Sequence, residues 1–169
     1  MAGVRAQDRG SSAFIPRRSG RSLATYVLSV VGITVAINGL IFALGWAGPS
    51  VDAARPNALL PPGWVIGGVW VVLLALLAVA AWLLASHPAP EARRLSPWVL
   101  ALIGFCLAYP FYTTGLRSDI MSLAGNLATI AASALLSGRA WALSGLSAAL
   151  IFLLVPWVSF ATFAIMFGR

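Results

Sequence analysis

Of the 169 residues, 60% are hydrophobic and only 9% are charged, whereas soluble domains carry about a quarter charged residues. The formal net charge of +7 is typical of a nucleic-acid-binding protein, but here every basic residue is an arginine and these arginines lie at the ends of apolar stretches. The composition excludes a water-soluble domain and predicts a membrane protein that has the lipid bilayer, and no nucleic acid, as its partner.

Five stretches of the chain contain no Asp, Glu, Lys or Arg. Each is long enough to cross roughly 30 Å of hydrocarbon at about 1.5 Å per residue. A helix is the expected form, because an open strand would leave backbone groups unpaired in lipid. We therefore predict an all-α integral membrane bundle of five transmembrane helices, with spans at about residues 23–48, 63–86, 97–114, 120–137 and 140–168.

A polar, arginine-rich leader, residues 1–22, precedes the first span and is predicted to be disordered. Such a leader before an apolar run is also typical of a signal peptide, but this run is longer than usual and no clear A-x-A cleavage site follows it. Eight of the 11 arginines lie on the side of the membrane that holds the leader. By the positive-inside rule the N-terminus is cytoplasmic, and five spans place the C-terminus on the opposite side.

The connections between the spans differ in length. The first, residues 49–63, is long and rich in proline. Loops of that length are often functional, although prolines also simply stiffen a connector, so a lid and a plain link both stay open. The last two connections, at 117–119 and 138–139, are short, which predicts antiparallel neighbours. In the last span, Pro156 is expected to kink the helix.

The usual constellations of catalytic residues are missing. His87 has no second histidine, and the four carboxylates lie in the leader and the loops rather than in a span. The single cysteine, Cys106, excludes an internal disulfide and is expected to pack. We therefore predict a protein that is not an enzyme, holds no metal and requires no cofactor.

Aromatic and amide side chains are the remaining candidates for a site. Counting the helical rise from each end places five of them in the half of the membrane away from the N-terminus, beneath the Pro-rich loop. They are Asn38, Trp70, Tyr109, Asn126 and Trp157. Two alternatives to a shared cavity are an aromatic belt at the interfaces and amides that bond neighbouring helices.

The fourth span has a face of small residues at every fourth position, Gly125, Thr129, Ser133 and Ser137. Small faces allow two helix backbones to approach closely. This face is predicted either to pack inside the bundle or to form an interface with another chain.

Two segments resemble the translocator protein family, also called TspO/MBR or tryptophan-rich sensory proteins. The segment from Arg55-Pro56 through Pro61-Pro62-Gly63-Trp64 to Trp70 is similar to the first loop and second helix of that family. The segment Pro156-Trp157-x-x-Phe160 is similar to its last helix. The resemblance implies a cavity under the first loop that binds porphyrins and related hydrophobic molecules, and it adds Arg55, Trp64 and Phe160 to the candidate ligand-binding residues.

The chain departs from the family pattern at several positions. A tryptophan expected between Pro56 and Pro61 is missing, and Cys106 and Tyr109 stand where the family has Asn and Trp. The acid usual in the fourth helix falls at Gly125, beside Asn126.

These features leave two functions open. The first is a sensor, carrier or regulator that binds a flat hydrophobic ligand such as a tetrapyrrole. The second is a structural or assembly subunit that has lost ligand binding and joins a homodimer or a larger membrane complex through its small-residue face. In either case we expect the chain in a bacterial membrane, the inner (cytoplasmic) one.

Overall fold

The computed structural model describes residues 20–46, 59, 61–113, 115 and 118–167. These residues form helices α1 (Gly20–Ala43), α2 (Gly63–Ala85), α3 (Pro90–Tyr112), α4 (Asp119–Trp141), α5 (Gly145–Phe152) and α6 (Leu154–Phe167). Five helical segments, the last made of α5 and α6 together, are long and apolar enough to cross a membrane. The all-α fold with five spans is confirmed. Most of the predicted leader and most of the Pro-rich loop, including Arg55, lie outside the described residues.

Helix α2 occupies the centre of the bundle, since it packs against α1, α3 and α5. Its buried side chains are alanines and leucines, and Ala78, Ala80 and Ala81 are fully buried together with Leu77 and Leu84. Small side chains let neighbouring backbones approach, and close contact is what holds helices together in lipid. Helix α4 completes the bundle by packing against α3, α5 and α6, while α1 lies at the edge, mainly against α2.

Two buried serines join neighbouring helices. The Ser96 hydroxyl of α3 donates to the Ala81 carbonyl of α2 at 2.8 Å. The Ser137 hydroxyl of α4 donates to the Ala148 carbonyl of α5 at 2.9 Å. Each is an interhelical hydrogen bond in an apolar setting, worth about 0.6–2 kcal/mol. These bonds fix the height of α3 against α2 and of α5 against α4.

Helix α3 begins at Pro90, about two turns before the predicted start of its span. Proline suits the first helical position because its missing N–H needs no partner there, and Glu91 in the first turn favours the positive end of the helix dipole. The helix therefore extends the predicted transmembrane segment into what the charge pattern had placed in a loop.

The connection between the fourth and fifth spans lies at residues 142–144 rather than at the predicted 138–139. Helix α4 continues through Arg139 to Trp141. Ser144 then caps the next helix, because its hydroxyl accepts a hydrogen bond from the Ser147 N–H at 3.3 Å. This capping serine, and not the charged residue, sets the boundary.

The last span is interrupted at Leu153, between α5 and α6. Pro156 has no N–H to donate to the carbonyl of Phe152, which is the last residue of α5. The Leu153 N–H still donates to the Ala149 carbonyl at 3.3 Å. The interruption thus falls where the proline removes a helical hydrogen bond.

We expect the turn after α4 and the loop before α2 to lie on opposite sides of the membrane. Leu59→Cys should react with a membrane-impermeant maleimide in intact spheroplasts, whereas Ala142→Cys should react only after the membrane is opened. Both positions are exposed, and the native thiol of Cys106 is buried and should give a low background. Labelling of both variants from the same side would contradict the five-span topology.

Candidate functional site

A cavity lies between α1, α2 and α3. Its interior holds about 40 Å³ of space, far below the usual 300–1,000 Å³ of ligand pockets, so it is a narrow crevice between the helices. Its lining residues are mostly apolar: Thr34, Ile37, Asn38, Trp70, Leu74, Cys106, Leu107, Tyr109 and Pro110. An apolar lining with a few polar groups is typical of sites for hydrophobic small molecules.

Two aromatic rings form adjoining walls of this cavity. The rings of Trp70 on α2 and Tyr109 on α3 have centroids 6.4 Å apart, and their planes are 30° from parallel. Tyr109 also contacts Tyr112 edge-on, with centroids 5.5 Å apart. The second tyrosine supports the first from outside the cavity, so that the ring of Tyr109 has a defined orientation in the cavity wall.

The amide of Asn38 provides a polar group on the α1 side. A methyl group added at Gly67 would lie 3.5 Å from the Asn38 amide nitrogen, so this amide rests on the α2 backbone. Among the described residues the Asn38 side chain has no hydrogen-bond partner. The amide is therefore available to a polar edge of a bound molecule.

Asn126 lies behind Tyr109, on α4. The Tyr109 side chain is within hydrogen-bonding reach of Ser122 and Asn126. Asn126 is only 3% exposed, and its amide nitrogen has no partner in the described part of the chain. Tyr109 thus separates the cavity from a buried polar group that does not itself line it.

The remaining candidates from the sequence lie elsewhere. Trp64 is 74% exposed at the start of α2 and borders an outward-facing apolar groove with Val65 and Gly68. Trp157 and Phe160 contact each other on α6, with ring centroids 5.9 Å apart. None of these three aromatic residues lines the cavity, and Arg55 lies outside the described residues. The structure brings together Asn38, Trp70 and Tyr109 and places Asn126 next to them.

Several lining residues were not singled out in the sequence. They lie one helical turn from a residue that was: Thr34 precedes Asn38 by four positions, and Leu74 follows Trp70 by four. Cys106, expected only to pack, is one turn before Tyr109 and lies beside Thr129 of α4. Because residues four apart share a helix face, extending each candidate by one turn would have found them.

The small-residue face of α4 lies inside the bundle. Thr129, Ser133 and Ser137 are at most 7% exposed, and a methyl group added at Gly125 would lie 2.8 Å from the Tyr112 hydroxyl. Of the two alternatives that the sequence left open, the structure has the internal one, in which this face of α4 packs against α3 and α5. In this arrangement the face offers no exposed surface to another chain.

Comparison with models of known protein families places the chain in a family. A family model described as the TspO/MBR family matches residues 24–167, which include nearly all of the described helices. No curated protein and no solved structure matches the chain significantly.

The internal position of the α4 face predicts a loss of stability on enlarging it. Gly125→Leu combined with Ser133→Leu should lower the free energy of unfolding by about 1–3 kcal/mol per site, because both side chains would overpack a close contact. A thermal melt in mild detergent measures the effect.

A matched control is Ala134→Leu combined with Gly138→Leu, which adds similar bulk on the exposed side of the same helix. The control should melt close to the unmodified chain. If the inward variant kept its stability and instead lost a co-purifying protein, the face would be an interface with a partner.

Proposed function

Because the chain belongs to the TspO/MBR family, we propose that it binds a flat hydrophobic molecule, such as a tetrapyrrole, in the cavity between α1, α2 and α3. The observation that carries the proposal is the pair of rings of Trp70 and Tyr109, 6.4 Å apart and 30° from parallel, on the wall of an otherwise apolar cavity. The protein would act as a sensor, carrier or regulator rather than as an enzyme.

The two rings suit a planar ligand. Offset stacking against an aromatic face contributes about 0.5–1.5 kcal/mol beyond the burial of area. The aliphatic side chains of Ile37, Leu74 and Leu107 supply the remaining contact and exclude water. The amide of Asn38 can donate to or accept from a heteroatom at the ligand's edge and so orient it.

The small size of the cavity means that a large ligand can enter only if a wall of the cavity moves. A tetrapyrrole has four linked rings and is many times larger than the space of about 40 Å³, so its binding requires one wall to move. Helix α1 is the wall that moves most easily, since it packs on α2, touches α3 only slightly and buries few residues. We infer that α1 shifts outward from α3 when a large ligand binds.

One contact near the cavity mouth would open in this movement. Trp46, just after α1, contacts Phe111 of α3 edge-on, with ring centroids 6.1 Å apart. Asn38 and Trp70 lie within about 10 Å of the ends of their helices that join the Pro-rich loop. The mouth therefore lies near the end of α1 and the start of α2.

The aromatic walls can be tested by removing them. Trp70→Ala and Tyr109→Ala should each weaken binding of protoporphyrin by about tenfold, because a lost stacking contact and its apolar area amount to about 1.4 kcal/mol or more. Titration in detergent, followed through the porphyrin absorption band, measures affinity without depending on the removed tryptophan.

The control is Trp98→Ala, which removes an exposed tryptophan near the opposite end of α3. It should bind like the unmodified chain. Equal weakening in all three variants would mean that the porphyrin partitions into the detergent and lipid around the protein, and the proposal would fail.

Trp157→Ala tests how far the site extends. If the ligand stays among α1, α2 and α3, this variant should keep its affinity, because Trp157 lies on α6 and does not line the cavity. Weakening as large as that of Trp70→Ala would extend the site to α6, as the resemblance to the family's last helix implied.

A further inference from the structure

Two arginines from neighbouring helices lie at the end of the bundle where α3 begins and α4 ends. Arg94 is in the second turn of α3 and Arg139 in the last turn of α4, and both are exposed. Among the described residues, neither guanidinium has a hydrogen-bond or ion-pair partner. Glu91, Arg93 and His87 are titratable groups described close to the start of α3, and none of them pairs with either arginine.

The contacts between α3 and α4 set the relative heights of these arginines. Tyr112 lies over Gly125, and Cys106, six residues before Tyr112, lies beside Thr129, four residues after Gly125. The helices are thus antiparallel neighbours. The number of residues from Trp98 to Tyr112 equals the number from Gly125 to Arg139. Trp98 and Arg139 therefore lie at the same height along the axis of the bundle. Arg94 is one helical turn nearer to the end of the bundle.

Helical spacing also places these residues on the same groove. Four residues of α3 lie on one stripe of the helix, because they are spaced by four, seven and seven residues: Arg94, Trp98, Phe105 and Tyr112. The far end of this stripe, at Tyr112, packs on α4. Arg139 follows Gly125 by nearly four full turns and lies on the side of α4 that faces α3. The spacing therefore places both arginines beside the seam where α3 and α4 pack. The lipid-facing side of this seam is called the α3–α4 groove below.

The other side chains that the spacing places along this groove are apolar and exposed. Trp98 is 64% exposed, Phe105 38% and Leu135 66%. They continue along the groove from the two arginines toward the middle of the span. A positive end followed by an apolar channel complements a molecule with an anionic head and a hydrocarbon chain.

We propose that the groove formed by Arg94, Trp98, Phe105, Leu135 and Arg139 binds an anionic phospholipid. The phosphate lies between the guanidinium groups of Arg94 and Arg139, which present planar sets of donors that match phosphate oxygens. One acyl chain lies along Trp98, Phe105 and Leu135. The bound anion relieves the repulsion between two cations that have no carboxylate partner in the described structure.

A phospholipid fits this groove better than a free phosphate ion. Both would satisfy the arginines, but only the lipid covers the exposed apolar residues beside them. A free anion at such an exposed site is also screened by water and salt. The site is independent of the cavity, which lies toward the other end of α3.

Arg93 provides a matched control for charge. It lies about a quarter turn from Arg94, on the face that continues through Pro97, Leu100 and Gly104, all of them exposed. Its guanidinium donates to the Pro88 carbonyl at 3.2 Å. Removing Arg93 therefore lowers the net charge by as much as removing Arg94 alone or Arg139 alone, and it leaves the groove intact.

The test is native mass spectrometry of the full chain in neutral detergent with added phosphatidylglycerol or phosphatidylcholine. The unmodified protein should retain phosphatidylglycerol in preference to phosphatidylcholine. Arg94→Gln and Arg139→Gln should each reduce its retention, and the two combined should reduce it by about tenfold or more, as expected for losing charge-assisted hydrogen bonds. Arg93→Gln should retain it like the unmodified chain, and thermal melts should show that all variants fold.

Three results would overturn the proposal. Equal loss of phosphatidylglycerol in Arg93→Gln would show that the lipid responds only to net charge. Equal retention of the two lipids by the unmodified chain would show no recognition of the anionic headgroup. Displacement of phosphatidylglycerol by an excess of inorganic phosphate at constant ionic strength would show that the arginines bind the anion alone.

Discussion

Helix α2 packs against three other helices at once, and this restricts most of its inward side chains to alanine and leucine. Lipid gives no hydrophobic drive for helices to associate, so close van der Waals contact and interhelical hydrogen bonds hold the bundle. Ala81 takes part in close packing and in an interhelical hydrogen bond. It is fully buried, and its small side chain leaves its carbonyl within reach of the Ser96 hydroxyl. Toward the start of α2, Trp70 and Leu74 border the space between the helices, and the cavity lies there.

The packing between α3 and α4 connects stability to the shape of the cavity. Gly125 lets the Tyr112 ring lie directly on α4, and Tyr112 in turn contacts Tyr109. Tyr109 presents one side to the cavity and lies close to Asn126 on the other. A larger residue at Gly125 would push on this series of rings, so a change on α4 that never touches a ligand would still alter the wall formed by α3.

The two ends of the bundle differ in chemistry in a way that suits an oriented membrane protein. The aromatic cavity lies toward the end that joins the Pro-rich loop, while Arg94 and Arg139 lie at the other end beside exposed tryptophans. Exposed arginines and interfacial tryptophans anchor helices at the level of the headgroups. A lipid held at that end would stabilise the α3–α4 pair, against which the tyrosines of the cavity wall are supported.

The sequence by itself determined the five spans, the all-α fold, the family, and the common depth of Asn38, Trp70 and Tyr109. It could do so because burying a charge or an unpaired backbone group in lipid is costly at any position, which makes composition along the chain informative. Helix ends were less accurate, since α3 begins at a proline and α5 at a serine cap that the charge pattern does not show. Only the tertiary structure decided which faces meet: Trp157 and Phe160 lie on α6 away from the cavity, and the small face of α4 turns inward. Counting residues gives the height of a side chain in the membrane, whereas its direction around the helix axis depends on packing against helices that are distant in the sequence.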